Sequence, residues 1–237
     1  MDISTVPVVL LAGGLATRLR PITETIPKAM VEVAGRPFID HQLALLRRNG
    51  IRRVVLCLGY LGEQIEQHLG SGAKHGLHLQ YSHDGERLLG TGGALRRALP
   101  LLGEVFWVIY GDSYMDIDYR AVLAHFVAGH ASGLMTVYHN KNRFDKSNVV
   151  FRKGRLLCYS KRAMTPEMQH IDYGVSLLCR EALTSLPENE PSDLADMFSA
   201  MASRGELIGH EVTQRFYEIG SHRGLEETQH YLRARSA

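Results

Sequence analysis

Val6-Pro7-Val8-Val9-Leu10-Leu11-Ala12-Gly13-Gly14 is a short apolar run, rich in β-branched valine, that stops at two adjacent glycines. Apolar continuity without alternation marks a strand covered on both faces, and the glycine pair marks a tight loop at its carboxyl end. Such a strand belongs in a parallel sheet flanked by helices, so helices and strands should alternate after it. They do. Pro37 opens a periodic segment through Leu43, Leu45 and Leu46 that stops at Asn49-Gly50, a helix with proline at its first turn and glycine past its end. Residues 54–58 read as a strand, 61–69 as a helix, 77–81 as a strand, 91–99 as a helix and 105–109 as a strong central strand.

Asp118 can cap a helix running to about residue 128, residues 134–138 form a strand, and 149–160 read as a hairpin turning at Lys153-Gly154. A strand at 173–178, a helix capped by Ser192, a strand pair within 207–218 and a helix from Ser221 complete the pattern. The expected fold is a Rossmann-like three-layer α/β domain with a mixed, mainly parallel sheet and a small antiparallel insertion. The 237 residues are expected to form one domain, its halves dividing near residue 115. Ligands bind such sheets beyond the carboxyl ends of the strands, so the residues just after Ala12, Tyr81 and Tyr110 are the first candidates.

Composition narrows the partners. The 27 basic and 25 acidic residues leave a formal charge of +2, too little for a field that would select nucleic acid or an anionic membrane. No apolar run approaches a membrane span, and the first residues lack a secretory pattern, so a cytoplasmic location is expected. Cys57, Cys158 and Cys179 sit in apolar runs without metal-ligand spacing and read as buried thiols. His75, His78 and His83 read as turn or surface residues rather than ligands.

Three glycine-rich or acidic elements carry the candidate chemistry. The first, Leu11-Ala12-Gly13-Gly14-Leu15-Ala16-Thr17-Arg18-Leu19-Arg20-Pro21, places backbone N–H groups, a hydroxyl at Thr17 and a permanent cation at Arg18 after the first strand, with Lys28 following in Pro27-Lys28-Ala29-Met30. Neither GxxxxGK[ST] nor GxGxxG is present. The second, Leu89-Gly90-Thr91-Gly92-Gly93-Ala94, puts small residues where a backbone can approach a ligand. In the third, the apolar run 107–110 delivers Asp112 to the rim of the sheet, and a second carboxylate, Glu218, stands ahead of the last helix.

These stretches resemble the sugar nucleotidyltransferases, whose signature is close to GGxGTRLxPxT followed by PKPM. The sequence differs at Ala16 and Ala29, where the family usually has glycine and proline. The resemblance implies a GT-A-like nucleotidyltransferase fold and transfer of a nucleoside monophosphate from an NTP to a sugar 1-phosphate with Mg²⁺, releasing pyrophosphate. It implies that Leu11, Ala12, Gly13, Gly14, Thr17, Arg87, Gly90, Thr91 and Gly92 bind the nucleotide. Arg18, Lys28 and Asp112 would be catalytic, and Asp112 and Glu218 would hold the metal, with Glu218 standing where many members have aspartate. Asn148, Lys161, Asp172, Tyr173 and Gly174 would meet the sugar phosphate. Lys161 keeps the family's lysine, Ser160 replaces its usual glutamate, and Asp172 is a replacement acid.

The overall likeness is greatest to short guanylyltransferases for heptose 1-phosphate in surface-polysaccharide synthesis, which implies GTP. Uridylyl- and thymidylyltransferases are its neighbours. No counterpart of the β-helical or CBS-type extensions of some relatives is expected, and a homodimer is compatible with the sequence. A cytidylyl- or guanylyltransferase acting on an alcohol phosphate or cofactor, and a non-catalytic sugar-nucleotide-binding module, stay open as other readings.

The proposed chemistry needs no general base, because a phosphomonoester with a second pKa near 6 is mostly ionised at neutral pH. The obstacle is repulsion: one like-charge pair at ~4 Å costs about 1 kcal/mol in water and about 4 at an effective dielectric of 20. Arg18, Lys28 and Lys161, with the metal, would offset it.

Overall fold

The computed structural model describes residues 1–236. In chain order its strands are β1 (Val8–Leu11), β2 (Glu32–Val33), β3 (Arg36–Pro37), β4 (Arg53–Leu58), β5 (His78–His83), β6 (Val105–Tyr110), β7 (Ser113–Tyr114), β8 (Gly133–Tyr138), β9 (Val149–Arg152), β10 (Arg155–Tyr159), β11 (Ile171–Cys179), β12 (Leu207–Val212) and β13 (Tyr217–Glu218). The α-helices are α1 (Phe38–Arg48), α2 (Gly62–Leu69), α3 (Gly90–Ala98), α4 (Tyr119–Gly129), α5 (Leu194–Ser203) and α6 (His222–Ser236).

Seven strands form the central sheet in the order β12-β8-β11-β6-β1-β4-β5. β1 lies inside it next to the central strand β6, with Val8 opposite Val54 on one side and Trp107 on the other, both pairings parallel. The run from Val8 to Leu10 is fully buried because both faces are covered. Val8 and Leu10 pack with Ile39, Leu43 and Leu46 of α1 and Ile65 of α2, whereas Val9 packs with Leu95 of α3 and Phe198 of α5. Each such side chain contributes roughly 1.5–3 kcal/mol of transfer free energy, which is why this stretch commits the chain to three layers. A third apolar cluster joins Phe38 and Leu45 of α1 to Val31, to Ile219 and to Leu232 of α6, tying the final helix to the start of α1.

The mixed, mainly parallel sheet and the small antiparallel hairpin β9–β10 are as the sequence indicates, with Lys153 and Gly154 at positive φ in the turn. Four details differ. β11 runs antiparallel between β6 and β8, an interruption inside the sheet that apolar runs cannot reveal, since direction leaves no periodic trace. The segments near 207–218 are not partners: β12 pairs in parallel with β8, while β13 pairs with β7 and so draws Glu218 opposite Ser113.

The N-cap of α5 is Asp193, which accepts from the Ala195 N–H, not Ser192. Ser192 instead uses its backbone carbonyl to accept from the Gly92 N–H at 2.9 Å. Cys158 is exposed, because a register shift between Leu156 and Cys158 turns consecutive residues of β10 outward, while Cys57 is buried as expected. Among the described residues no helix is long and apolar enough to cross a membrane.

Candidate active site

Two adjoining cavities open beyond the carboxyl ends of β1 and β6. The first, about 240 Å³, is lined by Leu11, Ala12, Gly13 and Gly14 from the first loop, by Gly90 and Thr91 at the start of α3, and by Lys28 and Asp112. The second, about 380 Å³, takes in Arg18, Asn148, Lys161, Asp172, Tyr173, Gly174 and Glu218. Tyr110 and Asp112 belong to both walls, so the two cavities form one cleft with Asp112 at the seam.

The loop that follows β1 is shaped by close approach and by strain. A Cβ on Gly13 would stand 2.9 Å from the Gly59 amide nitrogen, so only glycine lets the turns after β1 and β4 touch. Ala16 adopts φ 51° and ψ 41° at the head of the short 3₁₀ turn Thr17–Leu19, a left-handed conformation that costs an alanine roughly 1–2 kcal/mol. The Thr23 hydroxyl donates to the Ala16 carbonyl at 2.8 Å and helps to hold it there.

At the seam, Lys28 Nζ lies 2.8 Å from Asp112 Oδ2, and the Ser113 hydroxyl donates to Asp112 Oδ1 at 3.0 Å. Burial pushes the Asp112 carboxyl up, but the Lys28 ammonium and these hydrogen bonds outweigh it and hold the group below the usual carboxylate range. The carboxylate is therefore ionised at neutral pH. Its backbone is fixed from beneath by Gln42 of α1, a buried side chain whose amide donates to the carbonyls of Tyr110 (3.0 Å) and Ser113 (2.8 Å), on either side of the Asp112 peptide.

Glu218 is folded back on the turn into α6: Oε1 accepts from the Ser221 hydroxyl at 2.8 Å and Oε2 from the Gly220 N–H. Its extra methylene, compared with aspartate, gives it that reach. A Cβ built on Gly220 would be 2.6 Å from Glu218 Oε2, 2.9 Å from Arg18 Nη2 and 3.5 Å from Asp112 Oδ2, so Arg18 and both carboxylates converge around one point. Two carboxylates and a hydroxyl at the rim are a hard-oxygen donor set that fits Mg²⁺, and Lys28 shows that Asp112 already accommodates a cation. Among the described residues there is no group of three or more His, Cys, Asp or Glu side chains arranged to hold a metal, so further ligands would have to be water or substrate oxygen.

In the second cavity, Lys161 Nζ stands 5.2 Å over the Tyr110 ring. Asp172 accepts from the Gly174 N–H at 3.0 Å, and its own N–H donates to Asn148 Oδ1 at 2.9 Å. Burial raises the Asp172 carboxyl above the ordinary carboxylate value, with Lys161 opposing. The partly buried carboxylate lines the second cavity, where it can accept hydrogen bonds from hydroxyl or amine donors.

Three of the expected nucleotide contacts lie elsewhere. Arg87 is exposed and donates to the Asn189 carbonyl at 2.7 Å, away from the cleft lining. Gly92 is there for packing, since a Cβ would stand 2.7 Å from the Ser192 Oγ. Thr17 opens the 3₁₀ turn and is exposed outside both walls.

Sequence reading missed Asp84, 5% exposed in the wall of the first cavity, whose Oδ2 accepts from the Leu89 N–H at 3.0 Å. Its signal was its place just past a strand, among the residues after Tyr81. It also missed Phe144 and Phe216, whose rings pack edge to face at 5.9 Å against the second cavity. No local pattern marks them, because they come from loops far apart in the chain.

A family model described as nucleotidyl transferase matches residues 7–148. The N-acetylmuramate alpha-1-phosphate uridylyltransferase of Neisseria meningitidis is 42% identical over 113 residues, 47% of this chain and 49% of that protein. The mannose-1-phosphate guanylyltransferase catalytic subunit beta of Drosophila pseudoobscura pseudoobscura is 31% identical over 217 residues, 89% of this chain and 58% of that protein. The chain thus spans about half the length of the curated relatives it matches. Among solved structures, HddC from Yersinia pseudotuberculosis complexed with GMP-PN superposes with a TM-score of 0.82 at 22% identity, covering 96% of this chain and 99% of that one. A UDP-glucose pyrophosphorylase from Acinetobacter baumanii gives 0.77 at 18% identity, covering 95% and 93%. At these identities the structures speak to the fold.

Proposed function

Since the chain belongs to the nucleotidyl transferase family, we propose that it joins a nucleoside monophosphate from an NTP to a sugar 1-phosphate and releases pyrophosphate. The observation that carries this reading is the shared wall: a glycine-lined cavity and a polar cavity meet at Asp112, where Lys28 and Arg18 also stand. One substrate in each cavity would bring two phosphates together at the place where the positive side chains are concentrated.

In this mechanism the first loop, Gly90 and Thr91 seat the nucleotide, with Arg18 and Lys28 bracing its phosphates. Lys161, on the far side of Tyr110, receives the sugar phosphate, and Asp172 and Asn148 address sugar hydroxyls. Mg²⁺, held by Asp112 and Glu218, would neutralise charge on the transferring phosphate and leaving pyrophosphate. Lys28, paired with Asp112 at 2.8 Å, would exchange that carboxylate for a phosphate oxygen as substrates enter. No side chain needs to take a proton, because the attacking phosphate oxygen is already ionised.

For the base we propose guanine and for the sugar a heptose 1-phosphate, as the sequence resemblance implies. Asp84 supports a base that donates from more than one nitrogen, as the guanine N1–H and exocyclic amine do. The second reading is a uridylyltransferase for a hexose 1-phosphate, favoured by the 42% identity to the N-acetylmuramate enzyme across the shared segment. A matrix of four NTPs against hexose and heptose 1-phosphates, scored by pyrophosphate released, decides among them. Release in no well, with nucleotide still bound, would leave the non-catalytic module.

A further inference from the structure

A second charged hollow, about 510 Å³, runs along α1 from Arg36 and Asp40 at its start to Arg47 and Arg48 in its last turn, beside the turn into β4 and the 3₁₀ turn Ala73–His75. Its wall holds five cations from four segments: Arg36, Arg47, Arg48, Arg52 and Lys74. Among the described residues, Arg48 alone of these five has a carboxylate partner, Asp116 at 2.7 Å. Arg36 donates to the His41 ring, Arg52 to the carbonyls of Arg47 and Ile51, and Lys74 to the His68 carbonyl. The Arg47 guanidinium lies against the bare α-carbon of Gly76, where an added Cβ would stand 2.6 Å from Cζ.

The wall contains one acid, Asp40, and it is already shared by His68 at 2.9 Å and His75 at 3.6 Å. The His75 Nε2 atom is buried without a hydrogen-bond partner. Burial lowers the affinity of that ring for a proton; Lys74 and Arg36 add to the effect, while Asp40 opposes it. The negative end of α1 accounts for two arginines in its last turn. It does not account for Arg36, Arg52 and Lys74, which arrive from other segments to face the same space.

All five cations are exposed, so water screens much of their mutual repulsion, and an anion seated among them would offset the remainder. We propose that this hollow is a second anion site, separate from the cleft, for a small molecule carrying at least two phosphoryl charges. Its volume falls in the range of small-ligand pockets. A nucleic acid fits less well, because the net charge of +2 provides no extended positive face and the cations converge on one concavity.

The test is calorimetric titration of inorganic pyrophosphate into the whole protein at low salt, where such contacts are least screened. Wild type should show two classes of site. Ala44→Glu, at an exposed position of α1 in the hollow's wall, should weaken one class about tenfold or more, and Arg18→Ala in the cleft should weaken the other. Arg52→Ala provides a second probe of the hollow, with thermal melts confirming that each variant is folded. Repeating the titration with a nucleoside diphosphate and a sugar bisphosphate identifies the phosphoryl carrier; Ala44-dependent binding of either supports the site. Folded Ala44→Glu and Arg52→Ala proteins with wild-type isotherms would overturn the proposal. So would Ala44-dependent binding of a single-stranded RNA oligomer with none of pyrophosphate.

Discussion

Asp112→Asn tests the seam of the cleft with the smallest change of shape. Asparagine retains an oxygen for the Ser113 hydroxyl and for Lys28, but removes the negative charge that pairs with Lys28 at 2.8 Å. The partners are 20% and 28% exposed, so the lost charge-assisted bond, discounted for screening, should cost about 1–2 kcal/mol of stability. In a chain of this size that lowers Tm by a few degrees, leaving the protein folded at assay temperature.

The effect on turnover should be far larger. A group facing charge that develops in the transition state commonly supplies about 3–4 kcal/mol, or roughly 10²–10³ in kcat, and a metal-holding role would add to this. Purified wild-type and variant proteins would be compared by pyrophosphate release at saturating substrates, with circular dichroism and melting curves recorded on the same preparations. The folded Asp112 pKa is depressed, so the stabilising ion pair is fully present above the unfolded value near 3.8 and is lost as pH falls through the folded one. The stability gap between wild type and Asp112→Asn should therefore hold steady from pH 5 to 8 and close only in stronger acid. Near-normal turnover in a folded Asp112→Asn protein would refute the seam as the catalytic centre.

Lys161→Ala should raise KM for the sugar 1-phosphate about tenfold or more while leaving KM for the NTP nearly unchanged, as initial rates with each substrate varied would show. Asp172 carries the opposite linkage to Asp112: burial raises its folded pKa, so its contribution is most favourable below the unfolded value and declines as pH rises through the folded one. Asp172→Asn should consequently gain in Tm relative to wild type between pH 4 and pH 7, and a flat difference across that range would count against the buried charge. Ala16→Gly removes a left-handed alanine and should stabilise the protein by up to about 1 kcal/mol, once glycine's greater unfolded-state freedom is subtracted, as read from denaturant midpoints. Chelation with EDTA should abolish pyrophosphate release, and added Mg²⁺ should restore it.

What the sequence by itself determined is the set of features encoded over short distances. The apolar run from Val8 to Leu10 could only be a doubly covered strand, and Gly13-Gly14 could only follow it as a turn, because burial and backbone freedom act on neighbouring residues. The motifs around Arg18, Lys28 and Asp112 were legible for the same reason, each being a contiguous stretch at the end of one element. Tertiary structure decided what depends on residues far apart in the chain. It reversed β11 within the sheet, paired β13 with β7 so that Glu218 came beside Asp112, and placed Gln42 of α1 beneath the Asp112 peptide. It also turned Gly92 toward Ser192 and Arg87 toward Asn189, contacts spanning about a hundred residues that no local spacing can encode. Side-chain periodicity records which face of an element is buried; it does not record which distant segment buries it.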